Sequence, residues 1–248
     1  IRHYASTDPV SAPKDEGNIP WWWIRPMKAL SGAAGMHRFT WDLHYSPAPG
    51  SRNAYPISAI PHDTAPSPTS PWVLPGTYSV SLNVNGKTYT QPLTVSIDPR
   101  VKTPASELQQ QFTLSKEMYD DIAQLDAASG RIRAIRTKLR AAPKSDAITA
   151  LRKQAAELSG VAAEEDDEAP PSAAPDKETL SSLTQSLRAL LRLLQQSDAA
   201  PTTQVAAAVE DRRSAVTEIL GRVQSFEAAV KAANLSEPTK GSSAAKPH

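Results

Sequence analysis

Residues 74–101 read LPGTYSVSLNVNGKTYTQPLTVSIDPRV, and the middle of this stretch is a β-hairpin legible residue by residue. Val80, Leu82 and Val84 alternate with Ser79, Ser81 and Asn83, the period-two pattern of a strand with one face turned to a core. Asn85-Gly86 supplies the two positive-φ residues of a tight two-residue turn. The return strand runs from Thr88 to Ile97, with Leu93, Val95 and Ile97 on one side. Working outward, the spacing predicts further strands at 1–6 and 36–45. Together these make an immunoglobulin- or fibronectin-like antiparallel β-sandwich over residues 1–101, with a long Pro-rich insert at 46–73. Modules of that kind bind or support more often than they catalyse.

The composition changes near Thr103. All five Trp and 14 of the 22 Pro fall at or before residue 100, whereas Ala, Leu, Gln, Arg and Glu dominate afterwards. The first composition marks ordered loops and strands, the second helices. Thr103-Pro104 reads as a helix start, Thr as N-cap and Pro at the first helical position. Leu108, Phe112, Met118, Ile122, Leu125, Ile132, Ile135 and Leu139 then recur at three- and four-residue steps, which predicts a helix over about 105–141. At 1.5 Å per residue it spans about 55 Å and needs partners along its stripe. Three further apolar stripes follow: Ile148, Leu151, Ala155 and Leu158; Leu180 to Leu194; and Val205 to Val230. The expected whole is a two-part α+β chain, with an antiparallel α-helical bundle over 102–235 after the sandwich. An acidic, Pro-rich loop at 163–176 is expected to be mobile, and the tail 236–248 disordered.

Charge and length exclude several classes. The 248 residues carry 27 basic and 26 acidic side chains, a net charge of +1, so no field draws in nucleic acid. The basic run Arg131 to Arg140 is interleaved with Ile132, Ile135 and Leu139 at helical spacing and reads as a solvated helix face. No apolar run approaches a membrane span, so no membrane insertion is expected. The absence of cysteine removes disulfides and thiolate chemistry. Ile1 falls inside an expected strand, and the chain reads as a processed or excised piece of something longer.

Candidate sites are few. Trp21, Trp22 and Trp23 form the most visible one, because flat indoles stack on sugar rings. Their packing against the sandwich edge or a neighbouring domain is the alternative. His37, His44, His62 and Asp63 are weak candidates for a metal site if the insert folds back over the 36–45 strand. His37 and His44 are seven apart and point to opposite faces of a regular strand. Trp41 is expected to fill the sandwich core near Tyr78, while Asp42 bonds a backbone amide or Arg38. No second carboxylate stands near Asp42 to complete a glycosidase pair. No nucleophile elbow or phosphate loop occurs, so neither catalytic residues nor a cofactor are expected.

One resemblance is carried by several motifs together: GMHRFTWDLHY (35–45), YPISAIPHD (55–63), WVLPGTYSVSLNVNGKTYTQPLTVSIDPRV (72–101), LQQQF opening the long helix (108–112) and DAAPTTQ (198–204). Over most of 1–235 the chain resembles the C-terminal region of bacterial secreted BNR-type (Asp-box, sortilin-like) β-propeller proteins, often labelled glycosyl hydrolases or sialidase-like. The β part is similar to the immunoglobulin-like module of flagellar hook-capping proteins. In that family the propeller carries the Asp-box repeats and any catalytic carboxylates, and no Ser-x-Asp-x-Gly-x-x-Trp repeat is present here. The resemblance implies a non-catalytic accessory module of an exported protein (secreted, periplasmic or at the cell surface), with a β-propeller domain or chain as partner. A carbohydrate-binding module using the Trp cluster is the second reading. The third is part of a glycoside hydrolase whose active site lies on a missing propeller.

Overall fold

The computed structural model describes residues 1–10, 19–26, 28–51, 55, 60–160 and 177–233. In chain order the elements are a single 3-10 turn at Trp21–Trp23, strands β1 (Gly76–Val84) and β2 (Lys87–Val95), and helices α1 (Ala105–Ala141), α2 (Asp146–Ser159), α3 (Leu180–Leu194) and α4 (Thr203–Ala232). The expected sandwich is not there. Among the described residues the only sheet is the two-stranded antiparallel pair β1–β2, so the chain is mainly helical with a small hairpin, not immunoglobulin-like. The segments 1–6 and 36–45, expected as strands, are irregular and held by scattered contacts. Tyr45 N donates to Pro71 O at 3.0 Å and Val73 N to Leu43 O at 2.8 Å, around one isolated bridge between His44 and Trp72. Leu43 breaks any longer ladder there with φ 60.

The chain divides into two compact units. One comprises Ile1–Asp120 with Arg188–Ala207, the other Asp121–Leu187 with Ala208–His248.

In the first unit the N-terminal segments gather around the ends of helices. Tyr45 lies 5.9 Å from the Phe112 ring and 6.3 Å from Tyr119, on α1. Gln195, just past α3, accepts from Trp72 N at 2.7 Å and donates to buried Ser115 at 2.8 Å. Arg188 on α3 donates to Ser51 Oγ at 2.7 Å and to Pro49 O at 2.8 Å. Thr103, expected to cap α1, instead donates its hydroxyl to the Asp198 carbonyl.

In the second unit the predicted stripes form the core. Ile122, Leu125, Leu139, Leu183, Leu187, Val223 and Phe226 are fully buried. Asp121 accepts from Arg213 at 3.2 Å, and Arg131 donates to Glu227 at 2.7 Å. Both contacts advance in the same direction, so these parts of α1 and α4 run parallel rather than antiparallel. Helix α2 runs back along α1, since Arg152 donates to Leu139 O at 2.8 Å and Arg136 to Ser159 Oγ at 3.4 Å. Ser145 caps α2 by accepting from Ile148 N, and Gly160 ends it in the left-handed region at φ 68. The acidic stretch 163–176 and the tail 236–248 lie outside the described residues. No helix among the described residues is long and apolar enough to cross a membrane.

Candidate functional site

The hairpin sets the chemistry of the first unit's surface. Asn85 at φ 50 and Gly86 at φ 77 make the predicted two-residue turn, whose twist matches that of the strands. The register pairs Tyr78 with Leu93, Val80 with Gln91, Leu82 with Tyr89 and Val84 with Lys87. Directly opposed residues share a face, so one face holds Tyr78, Val80, Leu82, Val84, Tyr89, Leu93 and Val95, with Gln91 and Lys87 the polar residues among them. The other holds Thr77, Ser79, Ser81 and Asn83 against Thr94, Pro92, Thr90 and Thr88. The apolar face is uncovered: Val80 is 49% exposed, Leu82 55% and Tyr89 57%. Sequence alternation says that such a face is built for burial and leaves open what buries it.

The base of the hairpin is anchored where its tip is not. Tyr78 donates its hydroxyl to Leu74 O at 2.5 Å and meets Trp41 edge-on with centroids 6.0 Å apart. Burial, reinforced by Tyr45, pushes the Tyr78 phenol above its ordinary range. Trp41 is only half-buried and donates Nε1–H to His44 O at 2.9 Å, while Asp42 accepts from His44 N at 3.2 Å, the backbone-amide role expected of it. Beside them Leu43, Trp72, Pro75, Ile97, Leu108 and Phe112 line a cleft of about 180 Å³. That is below the size of ordinary small-molecule pockets, and fits one apolar side chain.

The other predicted site residues lie apart from the hairpin. Trp21, Trp22 and Trp23 form a single 3-10 turn. Trp21 and Trp22 are 50% and 47% exposed, and their rings meet at 90° with centroids 5.8 Å apart. The turn is tied to the insert: Thr64 N donates to Trp23 O at 3.0 Å, Arg25 N to Thr64 O at 2.8 Å, and Arg25 Nε to Asp63 at 2.7 Å.

The four metal candidates are dispersed. Exposed His37 has a ring nitrogen 2.8 Å from Ala33 O, and Asp63 holds Arg25. His62 sits at φ 62 in the turn before Thr64. His44 is buried, its Nδ1 2.8 Å from Asp42 O and its ring centroid 3.8 Å from that of Trp72. Burial lowers its pKa, the Asp42 carbonyl and charge oppose this, and Arg2 adds to the lowering. Among the described residues no three His, Cys, Asp or Glu side chains converge on a metal-sized site.

In the second unit Lys177, Glu178, Ala215, Glu218, Ile219 and Arg222 line a cleft of about 270 Å³. Glu178 is engaged there: its carboxylate accepts from Arg212 and its carbonyl from Arg222 at 3.1 Å. No protein-family model, curated protein or solved structure matches the chain.

Proposed function

We propose that this chain is a non-catalytic interaction module, and that the apolar face of its hairpin docks onto a β-rich partner. One observation carries the reading. Val80, Leu82, Val84, Tyr89 and Leu93 share one face of the hairpin, interrupted only by Gln91 and Lys87, and all five are open to solvent. Burial of apolar side chains is worth about 25 cal/mol per Å², so a patch of this kind strongly favours a covering surface. The 180 Å³ cleft at the hairpin base supplies a socket for one anchoring side chain of that partner. A β-propeller domain or chain of the same exported system is the partner that the sequence resemblance suggests, with secretion, the periplasm or the cell surface as the setting.

Carbohydrate binding through Trp21 and Trp22 is the weaker reading. Sugar platforms present flat rings side by side, and these two indoles are perpendicular.

The test places a photo-activated cross-linking residue at Leu82 or at Ser81 of the full chain in its native host. The reading expects Leu82 to give one discrete adduct with a different, β-rich polypeptide, and Ser81 on the opposite face to give far less. Equal yields of that heterologous adduct from both faces, or no adduct at Leu82 with any other polypeptide, would overturn it.

A further inference from the structure

The two outer edges of the hairpin are not equivalent. Val84 and Lys87 close the two-residue turn and form a hydrogen-bonded pair, and bonded and non-bonded pairs alternate from there. Val84, Leu82, Val80, Tyr78 and Gly76 therefore point their backbone groups at β2. Thr77, Ser79, Ser81 and Asn83 point theirs outward. On β2 the outward set is Thr88, Thr90, Pro92 and Thr94. Pro92 has no N–H, so β2 lacks a donor in the middle of its outer edge, and Lys87 places a charge at one end. Proline and lysine are the usual devices that stop an edge from pairing. Strand β1 has neither: its nine residues GTYSVSLNV contain no proline and no charge. Among the described residues nothing pairs with that edge.

We propose that β1 pairs with β1 of a second copy of this chain, antiparallel and centred on Val80. This concerns the edge of the hairpin rather than its apolar face, and it stands or falls separately from the docking reading above. Three features favour a second copy. Centring on Val80 overlaps all nine residues, and opposes Thr77 to Asn83 and Ser79 to Ser81 of the second copy, the residues whose donors and acceptors point outward. The same register keeps the faces matched, with Tyr78 opposite Leu82 and Val80 opposite Val80. Finally, no charge on β1 meets its like across the dyad. A two-stranded hairpin exposed on both faces is marginal by itself, and the pairing converts it into a four-stranded sheet. The interface is small, so the dimer is weak and concentration-dependent.

The full chain has no cysteine, which makes the test clean. Val80→Cys places two thiols at a non-bonded pair, with Cα atoms about 4.5 Å apart, inside disulfide range. Gln91→Cys lies on the same face but one strand further out on each side, which separates the two copies' thiols by about 14 Å at the usual strand spacing. Under mild oxidation V80C is expected to form a disulfide-linked dimer at least tenfold faster than Q91C. Adding Ser79→Pro to V80C, which removes an outward N–H and leaves the β1–β2 ladder intact, should abolish the acceleration. Equal rates for V80C and Q91C would overturn the proposal without recourse to the proline variant. So would a wild-type chain that sediments as a monomer at every concentration up to the millimolar range.

Discussion

His44, bridged to Trp72, lies against its indole with ring centroids 3.8 Å apart and is buried. Its Nε2, like Arg2 Nε, has no hydrogen-bond partner among the described residues. The imidazole is thus held neutral by burial, with Asp42 pulling the other way and Arg2 reinforcing the effect. The unfolded chain takes up a proton near the ordinary imidazole value of 6.5 while the fold resists it. Stability contributed by neutral His44 is therefore complete above that value and declines as pH falls below it. Urea midpoints at pH 7.5 and pH 5 should differ in the wild type, and His44→Phe should reduce that difference. An unchanged difference would show that other groups set it.

Gly160 and Gly130 make opposite predictions from the same substitution. Gly160 ends α2 at φ 68, and an added Cβ would collide with the Thr179 side chain, itself the cap that accepts from Ser182 N at 3.1 Å. Gly160→Ala should cost roughly 1–3 kcal/mol through the left-handed backbone and the clash. Gly130 lies inside α1 with nothing near an added Cβ. Gly130→Ala should stabilise by about 0.5–1 kcal/mol. Denaturant unfolding followed by circular dichroism separates the two.

Phe226 is the largest fully buried side chain of the second unit. Phe226→Ala should cost about 3–5 kcal/mol, the range for emptying an aromatic site in a packed core. A loss under 1 kcal/mol, read from the same unfolding curves, would mean that α4 does not pack as described.

Leu82→Thr separates docking from folding. The side chain is more than half exposed, so the substitution should change stability by no more than about 0.5 kcal/mol. It should nonetheless weaken partner capture at least tenfold, measured by co-purification from the native host. Loss of fold and capture together would make Leu82 a structural residue instead.

The parts legible in the sequence were those decided locally. The Asn85-Gly86 turn, the strand alternation around it and the extent of α1 all depend on neighbours within a few residues, and the structure has them. The buried members of the helical stripes follow for the same reason, since a three- and four-residue step leaves one face to bury. What failed was non-local. A sandwich needs strands from distant segments to pair, and the expected strands at 1–6 and 36–45, though free of proline, make only the isolated bridge from His44 to Trp72, with Leu43 beside it at φ 60. Local reading leaves Trp21 to Trp23 as strand or loop, and the structure makes them a 3-10 turn after Pro20. Burial of His44 was not legible either, because it depends on Trp72 arriving across a bridge 28 positions away. Nor does alternation reveal that the hairpin's apolar face stands open, since the pattern is the same whether the covering surface is internal or borrowed.

The most direct test of the account is hydroxyl-radical footprinting of Leu82 and Tyr89, first in the purified chain and then in the native assembly recovered from its host. Both side chains should be oxidised readily in the purified chain and strongly protected in the assembly, with buried Phe226 protected in both. Equal oxidation of Leu82 and Tyr89 in the two samples would contradict the claim that this face is a docking surface.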